Sequence, residues 1–207
     1  MKKIAVFSIA LAVALCLSPA VHAQEHEYLM GIKLGGALPT NDFSEGFDTG
    51  FLFGISGEVA FSPHFAVEGS LVRHSHNESD EGVEGVFPIH LQMSMFPGIE
   101  EEHFGGEKSL TMNELTLNAK WYLARGSVQP YFTGGAGIYF WQFSIENLGD
   151  NTESDFGING GAGLLFPLGH RLYAGIDGRY NHVWTQIAAD EQKLTWWNLT
   201  GSLSYGF

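Results

Sequence analysis

Phe51-Leu52-Phe53-Gly54-Ile55-Ser56-Gly57-Glu58-Val59-Ala60-Phe61 carries two different surfaces on one stretch of chain. Successive side chains of a β-strand point to opposite faces, so Phe51, Phe53, Ile55, Gly57, Val59 and Phe61 share one face. Gly54, Ser56 and Glu58 fall on the other. No charge interrupts the first face. A strand of this kind separates an apolar medium from a polar one.

The partition recurs along the chain. Leu115, Leu117, Ala119, Trp121 and Leu123 oppose Thr116, Asn118 and Lys120; Ile158, Gly160, Ala162, Leu164 and Phe166 oppose Gly157, Asn159 and Gly161. Leu199, Gly201, Leu203, Tyr205 and Phe207 oppose Asn198, Thr200, Ser202 and Ser204. Eight alternating runs are predicted, at 28–38, 49–62, 64–76, 109–124, 129–143, 154–167, 171–186 and 194–207. Their connections span 10, 1, 32, 4, 10, 3 and 7 residues, so long and short alternate. The short ones carry turn chemistry in Ser62-Pro63-His64, Arg125-Gly126-Ser127 and Pro167-Leu168-Gly169-His170. The pattern predicts an all-β fold, an eight-stranded antiparallel up-and-down barrel trimmed at one end and elaborated at the other.

A water-soluble barrel also alternates, but with its polar face outward. A solvated surface carries roughly 25 to 35% Asp, Glu, Lys and Arg. Here the polar parity is mainly Gly, Ser, Thr and Asn with one or two charges per run. Short side chains suit the interior of an eight-stranded barrel, which is just wide enough for side chains to fill. The apolar parity therefore faces lipid, and the barrel is transmembrane.

Six charges then point inward: Lys33, Glu58, Glu68, Lys120, Asp177 and Arg179, three of each sign. Breaking one partner from a buried pair costs about 3 to 5 kcal/mol, so a packed lumen has to pair them. A mid-barrel ionic network of these six is expected, with Glu114 higher on its strand. Arg73 and His182 fall on the outward parity, near the predicted outer ends of their strands, where a charge costs only about 0 to 1 kcal/mol. Aromatics form two levels: Phe140, Trp141, Tyr180 and Trp184 toward the outer rim, Phe61, Phe65, Phe166 and Phe207 toward the periplasmic one.

Composition narrows the function classes. The 207 residues are 16% charged with a formal net charge of -13, which argues against binding led by phosphate contacts, so no nucleic acid is expected as partner. Lys2 and Lys3, the apolar run Ile4 to Leu17, Pro19 and Val21-His22-Ala23 read as a signal peptide over residues 1–23, cleaved after Ala23. The domain is then 24–207, exported to the outer membrane of a Gram-negative cell. The single cysteine, Cys16, lies in that leader, preceded by Leu15 and not by a small residue, so neither lipidation nor a disulfide is expected. After residue 24 no window of 18 consecutive apolar residues offers a spanning helix.

Leu199-Thr200-Gly201-Ser202-Leu203-Ser204-Tyr205-Gly206-Phe207 resembles the C-terminal signal read by the bacterial barrel-assembly machinery, with Leu199, Leu203, Tyr205 and Phe207 as its hydrophobic positions. Pro130-Tyr131-Phe132-Thr133-Gly134-Gly135-Ala136-Gly137, Phe156-Gly157-Ile158-Asn159-Gly160-Gly161-Ala162-Gly163 and Gly178-Arg179-Tyr180-Asn181-His182 resemble recurring strand motifs of the outer-membrane β-barrel family. That family includes small porin-like proteins and the transmembrane domain of outer membrane protein A. The resemblance covers residues 24 to 207 and implies an integral barrel assembled by that machinery among outer-membrane lipid and lipopolysaccharide.

Catalytic groupings are sparse. Lipid A deacylases of this architecture use a His-Xaa-Ser pair, because a serine needs an adjacent base to become a nucleophile. His182 is followed two residues later by Trp184 and His74 by His76, so no enzyme and no cofactor is expected. The loop 77–108 holds Glu78, Asp80, Glu81, Glu84, Glu100, Glu101, Glu102 and Glu107, and between residues 77 and 107 no Lys or Arg. Such carboxylates are candidate partners for divalent cations, though no fixed ligand spacing appears. His74-Ser75-His76 offers imidazoles to a transition metal, but the two rings are expected on opposite faces, leaving no metal site. The function expected is structural or surface-interacting, with a filled barrel. The alternatives are a narrow channel or lateral route for small solutes and, third, a lipid A-modifying enzyme.

Overall fold

The computed structural model describes residues 27–40, 49–77, 108–145, 149–187 and 190–207. The candidate signal peptide and residues 78–107 of the acidic loop lie outside the described residues. Eight strands follow in chain order: β1 (Glu27–Thr40), β2 (Gly50–Ala60), β3 (Phe65–Asn77), β4 (Lys108–Tyr122), β5 (Gln129–Ile145), β6 (Gly149–Pro167), β7 (Leu172–Ile187) and β8 (Asp190–Gly206). Each pairs antiparallel with its sequence neighbours, and β8 closes on β1 from Leu29↔Gly206 to Thr40↔Thr195. Closure leaves no edge, so pairing satisfies the strand backbone without water, which lipid requires.

The tight turns follow from the residues at their corners. Ser62 Oγ accepts from the backbone N–H of His64 and Phe65, folding the chain back between β2 and β3. Arg125 caps the β4–β5 turn by donating to the carbonyl of Pro63 at 2.7 Å and to Gln129 at 3.0 Å. These ends, with Tyr122 and Tyr131, form the base of the lumen.

Two pairs of strands run further than the alternation predicts. β5 reaches Ile145 and β6 begins at Gly149; β7 reaches Ile187 and β8 begins at Asp190. The alternation of long and short connections is therefore not kept at residues 146–148 and 188–189. Above the lipid both faces of a hairpin meet water, so the hydrophobic period that marks a strand in sequence disappears while pairing continues.

Burial is inverted relative to a water-soluble protein. Glu68 is 2% exposed, whereas Leu199 is 63% exposed. Ile32, Phe53, Leu117 and Ile176 are likewise exposed large hydrophobics, and Lys33, Lys120, Asp177 and Arg179 are buried. Arg73 lies on the exposed face beside Phe53, its partner across β2–β3. His182 is half-buried there, its ring 4.9 Å from Trp184 in an edge arrangement.

Candidate functional site

The lumen is filled in layers, and the ladder registers set their order. At the end of the barrel that carries the tight turns, Ala60, Ala66, Tyr122, Tyr131 and Leu165 form an apolar cluster with Tyr173 against it. The rings of Tyr122 and Tyr131 are 5.4 Å apart, and both phenols reach upward. Tyr122 Oη donates to Glu58 at 2.7 Å and Tyr131 Oη to Asp177 at 3.2 Å. Aromatic bodies with polar tips thus join a greasy floor to a charged layer.

That layer brings together all six inward charges. Glu68 is its centre: Oε1 receives Lys33 Nζ at 2.8 Å and Arg179 Nη2 at 2.8 Å, and Oε2 receives Lys120 Nζ at 2.6 Å. Lys120 also reaches Glu58 at 2.8 Å, and Arg179 Nε donates to Asp177 at 2.9 Å. The partners come from β1, β2, β3, β4 and β7, so the ion pairs cross the lumen and do not line one wall. A carboxylate surrounded by three cations keeps its lone pairs occupied, the condition under which a buried ionic group is tolerated. Lys120 also lies 4.7 Å from the centre of the Tyr131 ring.

Above it stand Ser70, Thr116, Asn118, Asn159, Asn198 and Thr200, all buried. Ser70 and Thr116 hydroxyls are 2.8 Å apart, and Asn118 donates to Thr116 at 3.1 Å.

The outer layer is aromatic, a feature that turn and charge patterns did not reveal. Trp196 is fully buried, and the rings of His74, Tyr139 and Trp141 meet it edge-on at centroid distances of 6.2, 5.4 and 5.8 Å. Trp141 is therefore inside the barrel, not on the outer rim: it shares the inward parity of Thr133 and Tyr139, which position along the strand alone does not reveal. His74 and His76 also correct the sequence expectation. Residues two apart on a strand share a face, so both rings point into the lumen, parallel within 5° and 6.3 Å apart. His74 Nε2 lies 3.0 Å from Glu114 Oε2, and Asn198 donates to the same oxygen at 3.4 Å. Among the described residues no group of three or more metal-ligating side chains comes together.

At the end of β8, Leu199, Leu203, Tyr205 and Phe207 all face outward, with the Tyr205 and Phe207 rings 5.2 Å apart. Phe207 N–H donates to the Tyr28 carbonyl at 2.9 Å, tying the strand to β1 at the closing seam.

A closed eight-stranded barrel with hydrophobes outside and ions sealed inside is an integral outer-membrane barrel protein. The chain belongs to the outer membrane protein beta-barrel domain family, whose model matches residues 7–207. In fold it is similar to Neisserial surface protein A, at 10% identity over 90% of this chain and 100% of that one, with a TM-score of 0.59. It is also similar to Ail, the attachment invasion locus protein of Yersinia pestis, at 18% identity over 89% of this chain and 100% of that one, TM-score 0.54. A major outer membrane protein from Thermus thermophilus matches at 12% identity over 90% and 100%, TM-score 0.51. At these identities the likeness shows the fold alone. No curated protein matches the chain.

Proposed function

We propose that the chain is a closed wall that holds its outer loops for contact with the envelope or the environment, and that it neither conducts solutes nor catalyses a reaction. The supporting observation is the Glu68 junction, where three cations from three strands converge on one buried carboxylate. Charged side chains that bind each other across a pore leave no continuous path for a hydrated ion. Planar-bilayer recording of purified folded protein tests the reading. The expected trace has no discrete steps, and stable unitary conductance would replace the wall with a narrow channel.

The surroundings follow from the same reading. Outer-membrane lipid and lipopolysaccharide contact the exposed belt, and the barrel-assembly machinery engages Leu199, Leu203, Tyr205 and Phe207 during biogenesis. Removal of residues 1–23 after Ala23 is checked by N-terminal sequencing of the outer-membrane form. Divalent cations are the ligand class for the carboxylates of 77–108. Calcium calorimetry with heat no greater than that of a loop-deleted barrel would remove them.

A further inference from the structure

The end of the barrel that carries the tight turns differs in charge from the rest of the chain. The turns 61–64, 123–128 and 168–171 hold His64, Arg125, His170 and Arg171 and no Asp or Glu, in a sequence with 23 acidic against 10 basic residues. Glu27, opposite Ala60 at the same end, accepts from Tyr173 Oη at 2.5 Å. The first two turns are joined to each other. Arg125 Nε donates to the Pro63 carbonyl at 2.7 Å, and His64 Nδ1 donates to the Tyr122 carbonyl at 2.9 Å.

Arg125 is held in place by the protein itself. Its Nη1 also donates to Gln129 at 3.0 Å, and its guanidinium carbon lies 3.8 Å from the centre of the Tyr122 ring. A carbonyl, an amide and a phenol ring are all uncharged, so the cation is fixed but not neutralised. A guanidinium has five N–H donors, and these bonds use two of them. The carbonyl facing His64 can only accept, which puts a proton on Nδ1 and leaves Nε2 for another group. Exposed rings stand around these groups. Trp121 is 56% exposed, and the rings of His64 and Phe65 each lie 6.5 Å from it. Aromatic side chains beside an apolar wall mark the level of lipid headgroups. The anion found at that level is a lipid phosphate, whose oxygens match the planar fork of an arginine. Choline and ethanolamine headgroups bring an ammonium that a cationic site repels. A glycerol headgroup leaves the phosphate charge uncompensated.

We propose that the β2–β3 and β4–β5 turns form a binding site for the phosphate of an anionic phospholipid, with Arg125 as its fixed donor, His64 beside it and Trp121 against the lipid. The inference rests on the reading that lipid contacts the exposed belt and adds to it a headgroup class and a place.

Native mass spectrometry of the folded full chain in neutral detergent tests the site, with phosphatidylglycerol and phosphatidylcholine of identical acyl chains offered at equal concentration. The first lipid retained should be phosphatidylglycerol by about fivefold, the contribution of one basic side chain at an anionic lipid surface. Equal retention of the two lipids overturns the proposal. Arg125→Gln should bring the ratio close to one, while Arg73→Gln, which removes the same charge from the exposed face further toward the other end, should leave it unchanged. A preference that survives Arg125→Gln, or that Arg73→Gln abolishes, puts the lipid elsewhere and overturns the site. Solution NMR of the unmodified chain locates the lipid without any substitution. Added phosphatidylglycerol should shift Arg125 Nε–H and the Trp121 indole N–H but not that of Trp196, and the absence of those shifts sinks the assignment. Inorganic phosphate alone should leave both signals in place; shifts equal to those from the lipid would make this a site for free phosphate and overturn the lipid. A chain that stays folded and monomeric in water without detergent would instead defeat the belt reading itself.

Discussion

Gly161 on β6 and Gly178 on β7 sit on neighbouring strands, yet their surroundings make opposite demands. A Cβ on Gly161 would overlap the carbonyl oxygen of Gly178 and come within 2.9 Å of Arg179 Cα. A Cβ on Gly178 would meet nothing within 4 Å. The first residue faces the lumen and the second faces lipid. The same contrast runs round the barrel: inward Gly54, Gly135 and Gly163 are crowded, outward Gly57, Gly69 and Gly178 are not. One wall thus obeys two packing rules. Its inside is filled to contact, so volume and charge are both fixed. Its outside meets a fluid, so only polarity is.

The sharpest break of the inside rule is at Glu68. Glu68→Ala leaves Lys33 without its buried carboxylate and strips Lys120 and Arg179 of one partner each. Removing one member of a buried ionic group costs about 3 to 5 kcal/mol, and that loss is expected in urea unfolding from lipid vesicles. A change under about 1 kcal/mol, the usual size for an exposed pair, would mean that the network is solvated in the membrane.

The outside rule breaks by polarity. Ile55 is 58% exposed and lies on β2 between Phe51 and Phe53 above and Phe61 below. Ile55→Arg at mid-membrane should cost about 2 to 4 kcal/mol, while Arg73 is tolerated because it sits further toward the outer end. Ile55→Leu should change stability little. Equal effects from both substitutions would mean that Ile55 does not face hydrocarbon.

How much of this was legible in the sequence depends on whether a feature has period two. Parity alone separates Ile55 from Glu58 and gathers Lys33, Glu58, Glu68, Lys120, Asp177 and Arg179 on the inner face, because the pleat is strictly alternating. The strand count is legible for the same reason. Which cation meets which carboxylate is not, since pairs such as Lys33 with Glu68 depend on the stagger at which β8 closes on β1. The aromatic layer around Trp196 escaped for a different reason. Trp141 and Trp196 are the residue types that also mark membrane rims, and only parity, applied strictly, distinguishes a rim residue from a lumen residue. His74 and His76 obey the same parity, so their shared face was legible and the expectation of opposite faces was an error of counting. The starts of β6 and β8 were not legible, because outside the membrane no hydrophobic alternation is imposed.

A smaller effect is expected from crowding alone. Gly161→Ala adds one carbon and no charge, and the overlapping atoms are backbone, which has little freedom to yield inside a paired ladder. Overpacking of this kind costs about 1 to 3 kcal/mol. An unfolding midpoint unchanged from the parent would show that the β6–β7 ladder shifts to absorb the methyl, and that the lumen is less tightly filled than its contacts imply.

Gly178→Ala should have the smallest effect and the opposite sign. The added methyl points to lipid, where nothing in the protein opposes it, and the glycine has no positive φ that an L-residue would resist. Replacing a glycine in a compatible conformation restricts the unfolded chain and stabilises by about 0.4 to 1 kcal/mol. Alanine also covers a little more of the neighbouring strand than glycine does, which acts in the same direction. Measured beside Gly161→Ala in the same vesicles, the pair differs in the face to which one methyl is added. Opposite signs would establish that facing, and not the glycine content of the strands, decides the cost. Destabilisation by Gly178→Ala as large as that by Gly161→Ala would mean that something other than fluid lipid packs against β7.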